Sequence, residues 1–490
     1  MRRMTPQPRP AGNPRPVGAT VVALALAALV LGSCTAHAPH RLDKEGRAVA
    51  MTVHEADFAT KEARERIETS ALEVHEDEGY ELAFLEFDDQ GSLFSRAPLE
   101  LLIDTLKKEA ARSDKPRLNL VLFTHGWLND ARLCNRNACC FRAFLSRLAK
   151  DVRAVEARAG GGGAPARTIG IFIGWRGLSA TVPPLRELSF YARKRAAHTI
   201  GQGELVELLT FLDRYQKHVN EETPRRCRLV MLGHSFGGAA MFTAIANVLK
   251  SRVVDAQVHS MLTGKPEPVV GFGDLVVLAN PAFEAALYAP FQELLTQHPT
   301  FGERQRPALV ILASETDSDT KVLFKVGRSL STMFQRTGPR SPRETLVTTV
   351  GNYDPFVTHR VDVIEHGPDA QKASMMGTVE NCACALPMKD LPPDMLDRLA
   401  EMVDASNRGV PVPLPPLACP GVETMGSVAL TCKTDNERPL WVVRASNEVI
   451  SGHSGFFTRP VSDLLRGLVF RAMMEDLAGA TRPAATAATP

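Results

Sequence analysis

Seven short apolar runs recur along this chain, and helical spacing fills most of the intervals between them. The runs are Tyr80–Phe87, Leu118–Phe123, Thr168–Ile173, Arg228–Leu232, Asp274–Ala279, Ala308–Leu312 and Leu440–Arg444. Segments near Leu99–Glu109, Phe141–Val155, Gly203–Val219 and Val461–Met473 place apolar residues on one helical face. A run that is apolar on both faces has no side to give to water, so it belongs inside a sheet covered above and below. Such strands alternating with helices predict an α/β fold with a mostly parallel sheet and helices on both faces.

One interval breaks the alternation. Residues 338–438 hold a candidate strand at Thr345–Val350, the Cys382-Ala-Cys384 turn and the proline run Pro411–Pro416. This stretch reads as an insertion inside a single domain spanning 79–478, and as a candidate cap or lid. Residues 479–490 read as a disordered tail. The run Gly160–Gly163 leads into a strand and not a helix, which denies it the context of a phosphate cradle, so it reads as a flexible loop.

The chemistry-bearing motif is Gly233-His-Ser-Phe-Gly237, which fits G-x-S-x-G. The apolar strand Arg228–Leu232 stands directly before it, and a small-residue helix start, Gly238-Ala-Ala, directly after. A strand-to-helix turn this tight leaves no room for Cβ atoms at Gly233 or Gly237, and it projects the Ser235 Oγ away from the sheet. With its context, the motif resembles the nucleophile elbow of the α/β-hydrolase superfamily, and the resemblance runs from about Tyr80 to Leu477. His125-Gly-Trp127, Gly174-Trp-Arg-Gly177 and Tyr191-Ala-Arg-Lys-Arg195 are similar to features of a subgroup of bacterial esterase- and lipase-like proteins.

The resemblance implies a Ser-His-acid triad with Ser235 as nucleophile. In that family the turn after the third strand, here His125-Gly126, lends the N–H of Trp127 to an oxyanion hole, and the N–H of Phe236 is the second donor. The acid follows the next-to-last core strand, which points to Asp317, with Glu315 and Asp319 as rivals in the same acidic loop. The general base follows the last strand, which points to His453, and His359 is its competitor. No metal or organic cofactor is implied. The activity implied is acyl transfer on a small-molecule or lipid-like ester. An acyltransferase or amidase on the same triad, or a non-catalytic binding protein of the same fold, are the alternatives.

The N-terminus carries a second signal. Arg2, Arg3, Arg9 and Arg15 precede the apolar run Val21–Leu31, which is short for a bilayer span and reads as a signal peptide over 1–33. It closes on Leu31-Gly-Ser-Cys34, which resembles the bacterial lipobox, so Cys34 is expected to receive lipid and to anchor the protein to a membrane. Thr35 after the cysteine favours, by resemblance to Gram-negative sorting, the outer membrane of the cell envelope. Residues 34–78 are charged and weakly periodic and read as a tether with a surface helix at Glu62–Glu68.

Eight cysteines remain beyond Cys34. Cys134, Cys139 and Cys140 crowd one loop, while Cys382, Cys384, Cys419 and Cys432 share the later irregular region. An exported chain permits disulfides, with connectivity open. Zinc lacks its paired knuckles or H-E-x-x-H. Cys227 opens an apolar strand and reads as a buried thiol. A formal net charge of +2 and scattered arginines give no field or groove for nucleic acid. Nothing in the sequence fixes an oligomeric state.

Overall fold

Strand Leu118–Thr124 shows why the centre folds as it does. Leu118, Leu120 and Leu122 enter one apolar core, and Val121 and Phe123 enter another on the opposite face. That is the period of two expected of a strand buried on both sides. A computed structural model describes residues 38–478 except 161–163, 180–184, 225, 266, 298–306, 334, 339–341, 365–377, 381, 386–389, 392, 408–420 and 434–439. The signal segment, Cys34, Pro411–Pro416, Cys419 and the tail after 478 lie outside the described residues, as does most of the glycine run.

In chain order the strands are β1 (Ala50–Thr52), β2 (Leu72–His75), β3 (Tyr80–Phe87), β4 (Leu118–Thr124), β5 (Arg167–Trp175), β6 (Cys227–His234) and β7 (Leu275–Ala279). They continue as β8 (Leu309–Ser314), β9 (His359–Val363), β10 (Thr378–Glu380), β11 (Ala383–Ala385), β12 (Gly421–Met425), β13 (Val428–Cys432) and β14 (Leu440–Ala445). The helices are α1 (Lys61–Glu68), α2 (Ala97–Ala110), α3 (Arg136–Arg158), α4 (Leu185–Gln202), α5 (Glu204–Glu222) and α6 (Phe236–Thr263). After them come α7 (Ala285–Gln297), α8 (Phe324–Ser331), α9 (Arg343–Val347), α10 (Pro393–Asn407) and α11 (Arg459–Ala478).

Among the described residues, twelve strands form one sheet in the order β1-β2-β3-β5-β4-β6-β7-β8-β14-β9-β13-β12. From β3 to β9 every neighbouring pair is parallel. Residues from α2, α4, α5 and α6 pack on one face, and residues from α3 and α11 on the other. This is an α/β-hydrolase-like architecture with extra strands from its C-terminal half. Among the described residues, no helix is long and apolar enough to cross a membrane.

The tether expected over 34–78 is, from Ala38 on, largely part of the fold. The surface helix is present as α1, but β1 and β2 extend the sheet beside β3. Two charges of this stretch, Arg41 and Glu73, are buried and paired, while those of α1 stay largely at the surface. Arg142 grips Glu73 with two hydrogen bonds of 2.7 Å, and Arg41 adds a third at 3.0 Å. Burial pushes the Glu73 carboxyl up, but these guanidinium groups and His75 outweigh it and hold it well below the usual carboxylate range.

The described part of 338–438 likewise extends the sheet. Strands β9, β13 and β12 continue it beyond β14. Of the expected strand Thr345–Val350, Thr345–Val347 belong to helix α9, and the extended Thr349 forms only an isolated bridge to Glu284. Thr345 Oγ1 donates to the Pro342 carbonyl at 2.7 Å and the Thr348 N–H to Glu344 at 3.0 Å, which closes α9 locally. Disulfides Cys134–Cys382 and Cys140–Cys384 clamp the β10–β11 hairpin to the start of α3. Cys432 is also disulfide-bonded. Cys139 is not: its buried thiol donates to the Leu133 carbonyl at 3.3 Å. Cys227 is the buried thiol expected.

Candidate active site

Ser235 links β6 to α6 at φ 55° and ψ −121°, a conformation that an L-residue adopts only when its surroundings force it. Its N–H donates to the Ala279 carbonyl at 2.9 Å and its own carbonyl accepts from Ala282 at 3.1 Å, so β7 fixes the turn from the side. The glycines are steric requirements. A Cβ on Gly237 would stand 2.2 Å from the Thr124 carbonyl oxygen, and one on Gly233 would stand 2.8 Å from the Gly238 Cα.

The three residues of the expected triad meet in one line. His453 Nε2 lies 2.6 Å from Ser235 Oγ, and His453 Nδ1 lies 2.8 Å from Asp317 Oδ2, across 136 residues of sequence. The geometry assigns the proton: Nδ1–H donates to the carboxylate, and Nε2 accepts from the serine hydroxyl. Asp317 Oδ1 accepts the Thr320 N–H at 3.1 Å. Burial raises the Asp317 carboxyl, but the bond and charge of His453 and the Thr320 N–H prevail and hold it below its ordinary value. Ser235 and Asp317 are each only 1% exposed, so the nucleophile lies under its surroundings and not on an open surface.

Glu315 and His359 are placed elsewhere. Glu315 turns to Arg360, whose Nη1 lies 3.1 Å from its Oε2. Asp319 opens a short wide helical turn, Asp319–Leu323. His359 starts β9, three strands from β7 in the sheet order, with its ring 4.4 Å from that of Trp441 and its Nδ1 2.8 Å from Thr358 Oγ1. Burial lowers its imidazole to about 4 and keeps it neutral. It is a core histidine.

His125-Gly126 packs directly over the nucleophile. A Cβ on Gly126 would stand 2.7 Å from Ser235 Cβ, so only glycine lets the turn approach this closely. The Gly174–Gly177 motif latches that turn. Trp175 Nε1 donates to the His125 carbonyl at 2.8 Å, the Trp175 N–H donates to His125 Nε2 at 3.1 Å, and Leu128 N–H donates to Gly177 at 3.1 Å. Burial lowers His125 to about 4, consistent with a neutral ring whose Nε2 is an acceptor. Arg193 then donates to the Arg176 carbonyl at 3.0 Å, so the three sequence motifs form one supporting unit. Trp175 and Phe236 are core residues, whereas Trp127 is half-buried and its Nε1 donates to Ser189 Oγ at 3.1 Å.

Sequence reasoning passes over Asn280, at the end of β7. Its Nδ2 donates to the carbonyls of His453 at 2.9 Å and Gly452 at 3.2 Å, and its Oδ1 accepts the Ser314 N–H at 2.7 Å. His234 Nε2 donates to the same His453 carbonyl at 2.9 Å. The sequence offers only an asparagine directly after a core strand, which the structure holds at φ 43°, a region that asparagine tolerates. Among the described residues, no group of three or more His, Cys, Asp or Glu is placed to hold a metal ion. Comparison with protein-family models, with curated proteins and with solved structures finds no match.

Proposed function

We propose that this serine hydrolase cleaves carboxylic esters through an acyl-serine intermediate, as a lipid-anchored protein of the bacterial cell envelope. The observation that carries the chemistry is the unbroken Ser235–His453–Asp317 hydrogen-bond line at a strained elbow. As Ser235 Oγ attacks the acyl carbon, His453 takes its proton and Asp317 compensates the imidazolium. The histidine then gives that proton to the leaving alcohol. Water, activated by the same histidine, releases the acid.

Two backbone donors serve the oxyanion in this reading. Phe236 opens α6, where an N–H has no partner within the helix. Trp127 follows the glycine that packs on Ser235. Losing one such donor costs about 3 kcal/mol of barrier. The envelope location rests on the Leu31–Cys34 signal in the sequence.

A fluorophosphonate mimics the tetrahedral adduct and should label Ser235 alone, with Ser235→Ala abolishing the label. Because Ser235 is only 1% exposed, labelling is measured with and without a lipid or detergent interface. Turnover on a panel of acyl esters and amides then reads the substrate class. Folded protein that resists the probe under both conditions and turns over no ester would overturn the proposal.

A further inference from the structure

The chain enters the fold at the end of the sheet where the nucleophile stands. The N–H groups of His40 and Arg41 both donate to a single carboxylate oxygen of Glu86, at 2.8 Å each. Glu86 is the penultimate residue of β3, and β3 is parallel to the strand that delivers Ser235 through β5 and β4. Arg41 is 1% exposed and runs inward. Its Nε donates to the Ala131 carbonyl at 2.7 Å, and its guanidinium sits 3.6 Å from the centroid of Phe84. Ala131 belongs to the loop that follows the His125–Trp127 turn. The entry point is therefore clamped to the loop system that covers the nucleophile.

Two lengths make this consequential. Three strand spacings separate β3 from β6, about 14 Å. Only six Cα–Cα steps lead from Cys34 to His40, which at full extension reach about 20 Å. A lipid on Cys34 would hold the catalytic end of the sheet close to the bilayer, where a tether reaching to residue 78 would have let it wander.

The same end carries exposed apolar side chains. Tyr191 is 44% exposed, Val322 57% and Val326 53%. Tyr191 follows Phe190, whose ring lies 4.8 Å from that of Phe236, and a Cβ on Gly327 would collide with the Tyr191 ring. Val322 stands in the turn that follows Asp317. A rival apolar stripe, Val254, Val258, Met261 and Leu262, lies on α6 about 27–39 Å along the helix from Phe236, away from the entry point.

We infer that the mouth of the active site faces the bilayer holding the Cys34 lipid, and that the substrates are acyl esters resident in that membrane. This rests on the lipid-anchored ester hydrolase reading. Membrane residence supplies substrate at high local concentration, and the exposed Tyr191, Val322 and Val326 are placed to meet the interface.

The test inserts a flexible 30-residue Gly-Ser spacer, about 30 Å in r.m.s. span, after Ala36 in the full chain. Lipidated wild type and spacer variant are reconstituted in vesicles containing a fluorogenic long-chain diacylglycerol ester, and assayed in parallel on a soluble short-chain ester. The spacer should cut the ratio of bilayer to soluble turnover about fivefold or more, with soluble turnover unchanged. A fluorophore attached to the introduced thiol of a Val322→Cys variant should be quenched by a lipid-chain quencher, and one attached in the same way to a Val258→Cys variant should not.

An unchanged ratio, or quenching at position 258 and not at 322, would overturn the inference. Intact mass of Cys34 and phosphonate labelling of Ser235 are read on the same preparations. An unlipidated Cys34 removes the anchor and with it the inference. An unlabelled Ser235 removes the hydrolase reading. An unchanged ratio with both intact removes the orientation alone.

Discussion

Replacing Asn280 with glycine asks how the catalytic histidine is held. Glycine takes φ 43° at no steric cost, so the variant loses the side chain without adding backbone strain. Three hydrogen bonds go with it: two donated to the carbonyls of Gly452 and His453, and one accepted from Ser314. The His453 carbonyl keeps His234 as a donor, but the Ser314 N–H is left in a site with no solvent exposure. An orphaned buried donor costs about 1–3 kcal/mol and each of the two ordinary bonds about 1, so stability should fall by about 3–5 kcal/mol, less if water fills the gap.

The kinetic effect is the discriminating one. His453 must satisfy Ser235 at 2.6 Å and Asp317 at 2.8 Å together, and a displacement of about 1 Å costs on the order of 100-fold in rate. We expect kcat on a soluble ester to fall about 100-fold with KM within about twofold, because Asn280 meets the histidine loop and not the substrate. Asn280→Asp keeps the acceptor for Ser314 but turns an acceptor toward two carbonyls. Its deficit relative to wild type should shrink as pH falls and the new carboxyl gains a proton to donate. A folded Asn280→Gly protein with wild-type kcat would show that His453 is held without this residue, and would refute the reasoning.

Asp317→Asn should lower kcat by about 10⁴ because the imidazolium loses its partner and the ring its tautomer, whereas Glu315→Gln should stay within a few-fold, its carboxylate being engaged by Arg360. His359→Ala should lower the melting temperature through the lost stacking on Trp441 and leave kcat within about twofold. Burial pushes the Glu86 carboxyl up to about 7, against the Arg41 and His40 N–H groups that favour its charge, from an ordinary value of 4.5. Between those values the unfolded chain ionises first, so this residue's contribution to stability is full below pH 4.5 and declines by up to about 3 kcal/mol as pH rises to 7. Urea midpoints of wild type and Glu86→Gln across that window should diverge accordingly.

The central sheet was legible because burial on both faces leaves an unbroken apolar run, and the range expected for the first strand coincides with β3. The elbow was legible because backbone collisions dictate its glycines. The family's order, with the acid in the loop after the next-to-last core strand, led to Asp317, and the structure sets that carboxylate 2.8 Å from His453 Nδ1. The edges were harder. In β2, Leu72-Glu-Val-His75, Glu73 is satisfied by buried Arg142 and Arg41 and His75 by Glu73, and a strand whose charges are paired internally looks like solvated chain. Strand β9 did carry a signal. Val361 and Val363 are buried while Arg360 and Asp362 alternate with them and pair with each other, a period of two masked by the irregular sequence around it.

What no local pattern reveals is the wiring of the histidine loop, because its parts are remote in sequence and neutral in charge. The His453 carbonyl is gripped from two sides, by Asn280 after β7 and by His234 beside the nucleophile. His234 can serve there only as a neutral donor. Burial first, and then the neighbouring His453, lower its imidazole to about 4, and its buried Nδ1 has no hydrogen-bond partner among the described residues, as befits a ring carrying its proton on Nε2. The two rings lie 5.3 Å apart. A permanent cation at that distance would oppose the imidazolium that His453 becomes in each turnover, by about 3 kcal/mol at an effective dielectric of 20. The residue before the nucleophile therefore has to reach the His453 carbonyl, donate one proton and stay uncharged. Buried histidine meets all three conditions, and lysine or arginine would fail the last.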